Sequence, residues 1–191
     1  MILKTANLET TLRLGETIGA NIHNNMALFL AGPLGAGKTT FVKGLAKGLE
    51  IQEKIISPTF TMVYEYYSGK LPLCHFDFYS VLPDSKADKI QWLIHEVIQK
   101  PEVVIAVEWF KQLANINDDF LSKKLSENFT NSLTLNFAYY DSPTTSSTNH
   151  QEFSENSPRI IEISALGHKA KLITELCQKE FKQLEFKQFI N

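Results

Sequence analysis

The amino-acid sequence predicts an α/β fold of three layers, in which helices flank a central, mainly parallel sheet with added antiparallel strands. Short apolar, β-branched runs alternate along the chain with longer segments whose apolar residues recur at helical spacing. The run at residues 26–31 leads into a glycine-rich loop and a helix, a strand–loop–helix unit typical of parallel sheets. With 191 residues, the chain can bury one substantial core, so we expect a single domain over residues 1–191.

The first part of the chain predicts a helix, a strand and a second helix. Asn7 is a favourable N-cap, and apolar residues follow it at roughly helical spacing to about His23. Residues 26–31 are all apolar, which favours a strand that is buried on both faces. After the glycine-rich loop, a helix is expected from about Lys38 to Leu49.

The next part predicts two strands joined by a turn. Residues 54–67 are rich in β-branched and aromatic side chains, which favour a strand. Pro58 interrupts this strand, because proline has no N–H to donate to a neighbouring strand. Residues 71–80 alternate in polarity as expected for a second strand, with Ser68–Gly69 as the turn between the two.

The second half of the chain predicts a helix and three strands. Residues 84–99 carry apolar side chains on one helical face. Residues 102–109 form a continuous apolar strand that ends at Glu108. Residues 131–140 and 159–166 are two further strand-like runs.

The end of the chain contains a polar segment and a helix. Residues 141–158 are rich in Ser, Thr and Asn and poor in apolar side chains, so they cannot bury enough surface to offset ordering. We therefore expect a mobile loop there. Residues 166–190 predict a C-terminal amphipathic helix whose apolar stripe is most often a core contact. The stripe consists of Ile173, Leu176, Cys177, Phe181 and Leu184.

Composition and charge exclude several classes of protein. The formal net charge of −2 does not favour a free-standing nucleic-acid binder. No run approaches the roughly 18 apolar residues of a membrane span, and the N-terminus lacks the apolar stretch of a signal peptide. Cys74 and Cys177 are far apart, without the spacing of a zinc site or a disulfide framework. We therefore expect a cytoplasmic protein without membrane contact.

Residues 29–41, FLAGPLGAGKTTF, contain the phosphate-binding pattern G-x-x-x-x-G-K-T. In this motif backbone N–H groups and the N-terminus of the next helix surround a phosphate. We expect nucleotide contacts from Gly35, Ala36, Gly37, Lys38, Thr39 and Thr40. Lys38 would reach the β and γ phosphates, and the Thr39 hydroxyl would ligate Mg²⁺. Pro33 lies inside the loop, but its missing N–H should matter little because the phosphate-facing amides begin near Gly35.

Such a site also needs an acid, and Glu108 is the best candidate. It ends an apolar strand, and the carboxyl end of a parallel strand lies beside the phosphate loop in this architecture. An ordinary exposed glutamate at the end of a strand is the alternative.

Other nucleotide-binding classes lack parts that they need. A guanine-reading N-K-x-D motif and a D-x-x-G switch are both missing from the sequence. A small-molecule kinase usually closes an arginine-bearing lid, and Arg13 and Arg159 are the only arginines. Because an arginine finger within the chain is equally hard to build, hydrolysis should be slow unless a partner assists. Two alternatives stay open, a P-loop kinase of a small molecule and a nucleotide-gated interaction module without essential hydrolysis.

Several separated motifs, taken together, resemble the bacterial TsaE family, also called YjeE. These are GPLGAGKTTFVKGLAKGL, SPTFTMVYEY, LPLCHFDFY and VEW, in this order. The resemblance implies a P-loop ATPase fold and a role in the threonylcarbamoyl modification of the adenosine beside the anticodon, in tRNAs reading codons that start with A. It implies ATP as substrate, Mg²⁺ as cofactor, and TsaD and TsaB as partner proteins. Any contact with tRNA would be indirect, through that complex.

The resemblance also implies roles for particular residues. Lys38 and Thr39 match the phosphate lysine and the magnesium threonine, and Glu108 matches the acid on the magnesium side. Trp109 matches a tryptophan beside the nucleotide, although packing at a strand end would equally account for it. Asp77 matches an acid that is important for hydrolysis and could position water or the metal shell.

Two further matches concern the surroundings of the nucleotide. A switch-like segment that responds to the γ-phosphate is matched by Ser57, Pro58, Thr59 and Phe60. Thr11 matches a threonine near the nucleotide, with an ordinary helix-surface threonine as the alternative.

The sequence departs from the family pattern near these residues. Ser80 stands where the family usually has arginine, and Pro33 where it usually has an acid. His75, within the same HFDFY motif, is expected to be structural rather than catalytic.

Overall fold

The computed structural model describes residues 1–23, 25–80, 87–100, 102–111, 127–140 and 157–188. Within these ranges the chain forms seven strands and four helices. The strands are β1 Ile2–Thr5, β2 Met26–Ala31, β3 Val63–Tyr66, β4 Leu73–Asp77, β5 Val104–Glu108, β6 Ser132–Tyr139 and β7 Arg159–Leu166. The helices are α1 Leu8–Asn21, α2 Lys38–Gly48, α3 Ala87–Ile98 and α4 His168–Gln188.

The seven strands form one sheet in the order β1-β7-β6-β2-β5-β4-β3. The four central strands are parallel, because β2 pairs in parallel with both β5 and β6, and β4 pairs in parallel with β5. At the edges, β3, β7 and β1 run antiparallel to their neighbours. The predicted sheet, mainly parallel with added antiparallel strands, is confirmed. Its topology brings the carboxyl ends of β2, β4 and β5 to one edge of the sheet.

Two apolar cores lie on opposite faces of this sheet. On β4, Leu73 belongs to the core that also holds α1, α2 and α4, whereas Cys74 and Phe76 belong to the core that holds α3. This split follows from strand geometry, since successive side chains point to opposite faces. Helices therefore cover both faces, and the predicted three-layer arrangement is confirmed.

Helices α1 and α2 approach each other closely because both carry glycines at their contact. A Cβ atom at Gly15 would overlap the backbone oxygen of Phe41, and one at Gly44 would overlap that of Leu12. Since no other residue fits this distance, the glycines fix the position of α2 against α1. The N-terminus of α2 carries Lys38, so this contact also positions the glycine-rich loop.

The N-terminal elements otherwise match the prediction, with one addition. Asn7 caps α1, accepting a hydrogen bond at its side chain from the amide of Thr10 (2.9 Å). The sequence did not predict β1, which pairs antiparallel with β7 at the edge of the sheet. With only four residues, β1 is too short to show a periodic pattern, and its pairing with a strand so distant in sequence gives no local signal.

The strand predicted over residues 54–67 is wrong in its first half, because only β3 is a strand. Pro58 does not merely interrupt a strand but lies in a loop, where its carbonyl accepts a hydrogen bond from the amide of Met62 (2.7 Å). Met62 itself is buried with a positive φ of 71°, which turns the chain into β3. The hairpin of β3 and β4 around Ser68–Gly69 is confirmed.

The C-terminal helix begins two residues later than predicted, because β7 extends to Leu166. On its apolar stripe, Ile173, Cys177 and Phe181 are buried, but Leu176 is 39% exposed and does not join the core. The predicted mobile loop at 141–158 lies outside the described residues except for its last two. No helix among the described residues combines the length and apolar character that crossing a membrane requires.

Candidate nucleotide-binding site

A cavity of about 420 Å³ opens at the edge where β2, β4 and β5 end. It lies between the glycine-rich loop, the loop before β3, and the residues that follow β4 and β5. Its lining consists of Leu8, Leu34, Gly35, Gly37, Lys38, Thr39, Thr40, Ser57, Thr59, Asp77, Tyr79, Glu108 and Trp109. Ligands of open parallel sheets bind at this kind of edge, outside the carboxyl ends of the strands.

The glycine-rich loop joins β2 to α2 through glycines with positive φ angles. Gly35 and Gly37 have φ angles of 75° and 102°, which other residues adopt only with strain. A Cβ at Gly37 would lie 3.1 Å from Leu8 Cδ2, so the position also lacks space. Gly37 is the N-cap of α2, and no side chain accepts a hydrogen bond there. The first amides of α2 therefore have no capping side chain, as at the N-terminus of a helix that binds an anion.

The Lys38 side chain lies folded along the wall of the cavity, with only 4% of the residue exposed. Its Nζ donates to the carbonyl oxygens of Gly32 (2.9 Å) and Pro33 (2.8 Å). The same atom lies 4.0 Å from the centre of the Trp109 ring, a cation–π distance. Burial lowers the pKa of Lys38, and the nearby charges of Glu108 and Asp77 partly oppose this effect. Pro33 thus contributes to the site through its carbonyl group.

Glu108 joins the loop to the sheet. The Thr39 hydroxyl donates to its carboxylate, at 2.9 Å from Oε1 and 3.1 Å from Oε2. His75 Nε2 lies 2.9 Å from Glu108 Oε1 on the other side. The buried carboxylate is only 2% exposed and stands beside a hydroxyl that can also act as a ligand. A carboxylate and a hydroxyl oxygen are donor types that Mg²⁺ accepts.

Asp77 holds the loop that contains Pro58. Its Oδ2 accepts hydrogen bonds from the hydroxyls of Ser57 (2.7 Å) and Thr59 (2.8 Å). Its Oδ1 accepts the amide of Tyr79 (2.8 Å), and the Ser80 hydroxyl donates to the carbonyl of Thr59 (2.7 Å). The Ser80 hydroxyl therefore ties the same loop to the end of β4.

Trp109 turns the chain sharply at the end of β5. Its φ of 60° is unusual for a bulky residue, and its amide donates to the carbonyl of Leu30 (3.1 Å). The turn places the indole ring over Lys38 and 4.9 Å from the ring of Tyr79. The two aromatic rings form one side of the cavity mouth.

Most of the residues predicted for the site meet in this cavity, but three do not line it. Ala36 and Pro58 belong to the loops around the cavity, but both residues are buried. Thr11 is also buried, and its hydroxyl bonds to the carbonyl of Asn7 (3.3 Å) and to the Thr5 hydroxyl (3.2 Å). Its methyl group supports Gly37 from behind, 3.5 Å from where a Cβ would lie. In this structure Thr11 therefore shapes the loop, and direct contact with a nucleotide stays a prediction.

Sequence reasoning missed three residues that line the cavity. Tyr79 follows Asp77 by two residues, so the polar end of β4 could have indicated it. Leu8 and Leu34 are ordinary apolar residues, and only the fold brings them to the cavity. His75 was expected to be structural, and its direct contact with Glu108 was not foreseen.

Comparisons with known proteins agree with this geometry. The family model described as "Threonylcarbamoyl adenosine biosynthesis protein TsaE" matches residues 5–137. The tRNA threonylcarbamoyladenosine biosynthesis protein TsaE of a Nostoc species is 41% identical over 108 residues, 56% of this chain and 67% of that protein. The protein of the same name from Aquifex aeolicus is 42% identical over 103 residues, 53% of this chain and 70% of that protein.

A solved structure extends the match over almost the whole chain. YdiB of Bacillus subtilis superimposes with a TM-score of 0.64 at 25% identity, covering 94% of this chain and 95% of that one. The matched region of the family model includes the glycine-rich loop, Asp77 and Glu108. The chain belongs to the TsaE family of tRNA threonylcarbamoyladenosine biosynthesis proteins.

Proposed function

We propose that this protein is a slow ATPase that serves tRNA threonylcarbamoylation by acting on the TsaD–TsaB complex. The observation that carries the proposal is the hydrogen bond from Thr39 Oγ1 to Glu108 Oε1 (2.9 Å), directly after the glycine-rich loop. Threonylcarbamoyladenosine biosynthesis is the role that the names of its relatives state. ATP hydrolysis, Mg²⁺ dependence and the two partner proteins are the finer parts of the proposal.

Phosphate binding would use the loop and Lys38 together. The free amides at the start of α2 would donate to the phosphate oxygens, and the helix dipole would favour their charge. Lys38 would leave the carbonyl oxygens of Gly32 and Pro33 and turn toward the β and γ phosphates. The ammonium lies near the carboxylates of Glu108 and Asp77, whose charges oppose the effect of its burial.

Thr39 and Glu108 would hold Mg²⁺, Thr39 by direct ligation and Glu108 directly or through the water shell. The ion, when bound, would neutralise negative charge on the phosphate groups. Asp77 would then orient the attacking water, after the hydroxyls of Ser57 and Thr59 release its Oδ2. The loop before β3 would thereby respond to the γ-phosphate, as a switch does.

Slow hydrolysis is expected because no arginine lines the cavity. Arg13 pairs with Glu180 on the far side of α1, and Arg159 is buried with 1% exposure. These are the only two arginines of the chain, so an arginine that stabilises the transition state would have to come from a partner. The TsaD–TsaB pair is the partner that we propose. Because the chain carries a net charge of −2, contact with tRNA would come through that pair in the cytoplasm.

The test measures ATP hydrolysis by the protein alone and with the TsaD–TsaB pair. We expect a slow basal rate that rises when the pair is added, and a fall of about 10- to 100-fold for Glu108→Gln in both conditions. Glu96→Gln is the matched control, since Glu96 is an exposed residue of α3 on the opposite face of the sheet. A rate that the pair leaves unchanged would contradict the proposal. ATP consumption only with a small-molecule acceptor would indicate a kinase instead.

A further inference from the structure

His75 lies in the middle of β4 and is wholly buried, with 0% exposure. Its Nε2 lies 2.9 Å from Oε1 of Glu108. We propose that His75 is a positioning residue, whose Nε2–H holds the Glu108 carboxylate toward Thr39 and thereby sets the affinity of the site for Mg²⁺. This inference rests on the proposed function, because it takes Glu108 as a residue that holds the ion.

The sheet register explains how His75 reaches Glu108. In the parallel pairing of β4 with β5, His75 stands beside Ala106, and Asp77 stands beside Glu108. Along β4, successive side chains point to opposite faces of the sheet, and Cys74 and Phe76 lie on the face that packs against α3. His75 therefore lies on the other face, with Leu73. Asp77 and Glu108 share this face, so the imidazole lies on the same side of the sheet as both carboxylates. Ala106 has a small side chain, which leaves room for the imidazole ring to cross to the next position of β5.

The contact with Glu108 is the hydrogen bond that accounts for a histidine at this position. Nδ1 of the buried ring has no hydrogen-bond partner among the described residues. A buried polar atom without a partner is unfavourable, so an apolar side chain would serve the core better. Nε2 must carry the proton in this contact, because an ionised carboxylate only accepts hydrogen bonds.

Glu108 needs this donor once Thr39 turns toward an ion. In the described structure, Oε1 accepts from both His75 and Thr39, whereas Oε2 accepts from Thr39 at 3.1 Å. If the Thr39 hydroxyl oxygen becomes a ligand of the ion, its hydrogen bond to Glu108 changes. The hydrogen bond from His75 then remains to hold the carboxylate in place. A hydrogen bond of this kind orients a ligating carboxylate, and its loss commonly lowers metal affinity.

The experiment compares His75→Leu, which removes the donor, with His75→Gln, which keeps an N–H near the position of Nε2. Binding of a non-hydrolysable ATP analogue is titrated with Mg²⁺ and also measured without it. We expect His75→Leu to raise the Mg²⁺ concentration for half-maximal binding by about tenfold while leaving binding without Mg²⁺ within about twofold. His75→Gln should restore most of the wild-type Mg²⁺ dependence.

Leu73→Ala is the matched control for loss of packing. Leu73 is fully buried on the same face of β4, and its shortening leaves the contact between His75 and Glu108 in place. We expect this variant to unfold more easily but to keep its Mg²⁺ dependence. If His75→Leu does not fold, His75→Met provides a longer apolar side chain without a donor and carries the same expectation.

A double variant separates positioning from general damage to the core. In a Glu108→Gln background, His75→Leu should change the Mg²⁺ dependence no further, because the group that His75 positions has lost its charge. An equal shift in both backgrounds, or a wild-type response in His75→Leu, would overturn the inference and leave the proposed function standing. Absence of Mg²⁺-dependent nucleotide binding in the wild-type protein would overturn both.

Discussion

Two carboxylates and one ammonium group are buried together at the carboxyl edge of the sheet. Lys38, Asp77 and Glu108 are each less than 5% exposed, a set that a folded protein maintains only when the charges are paired. Burial lowers the pKa of Lys38, and the two carboxylates oppose the change without cancelling it. At the scale of the residue, the site therefore holds a lysine whose charged form is less favoured than it is in water.

The lowered pKa of Lys38 predicts a pH-dependent difference between the wild-type protein and Lys38→Met. The unfolded lysine titrates near 10.5, and the folded one below it. Below the folded pKa the lysine is protonated in both states, so the destabilising effect of the buried charge is fully present there. As pH rises through the folded pKa toward 10.5, this effect disappears, and the wild type should gain stability relative to Lys38→Met. Denaturant unfolding at a series of pH values measures the difference, and a constant difference would contradict the account.

The two cysteines predict a second outcome at the residue scale. Burial raises the pKa of both Cys74 and Cys177 to about 12, so the reactive thiolate is scarce at neutral pH. We expect an alkylating reagent to label neither thiol in the folded protein and both in denaturant, as counted by mass spectrometry. Rapid labelling of either thiol without denaturant would show that its environment is more open than described.

At the scale of the element, α1 and α2 are held together by close contact of their backbones. Gly44→Ala would place a methyl group against the backbone oxygen of Leu12, and the two helices would have to separate. Overpacking of this kind costs about 1–3 kcal/mol, so we expect the free energy of unfolding to fall by at least about 1 kcal/mol. Urea unfolding measures the loss. Lys43→Ala serves as the control, because Lys43 is exposed on the same helix. This variant should have the same free energy of unfolding as the wild type.

The loop before β3 is held in place by hydrogen bonds to Asp77. Asp77→Ala removes the acceptor for the hydroxyls of Ser57 and Thr59 and for the amide of Tyr79. We expect faster amide hydrogen exchange over residues 57–62, measured by mass spectrometry, with little change in α2. Unchanged exchange in this loop would mean that the three hydrogen bonds do not hold it.

Sequence patterns predicted the elements whose side chains are periodic, and they failed where distant parts of the chain meet. The apolar run that ends at Glu108 was recognised as a buried strand, because β5 is buried on both faces. The loop around Pro58 was taken for strand, since its β-branched residues resemble those of β3. The contact between His75 and Glu108 depends on the register of two strands 33 residues apart, which no local pattern records. The position of Thr11 behind the loop likewise follows from the packing of α1.

At the scale of the whole molecule, one parallel sheet brings separate segments to a single edge. The glycine-rich loop follows β2, Asp77 ends β4 and Glu108 ends β5, so the site is assembled only when the sheet is complete. The exposed side chains of Leu34 and Tyr79 line the cavity, and the exposed Phe60 belongs to the loop before β3. We expect these loops to move with the nucleotide. A partner that contacts these loops would sense which nucleotide is bound.

We propose that hydrolysis at this site supports tRNA modification. The most direct measurement is the threonylcarbamoyladenosine content of tRNA from cells in which Glu108→Ala or Asp77→Ala replaces the native protein, at equal protein abundance. We expect both variants to lose the modification and Glu96→Gln to retain it. Full modification with both Glu108→Ala and Asp77→Ala would contradict a role that depends on hydrolysis.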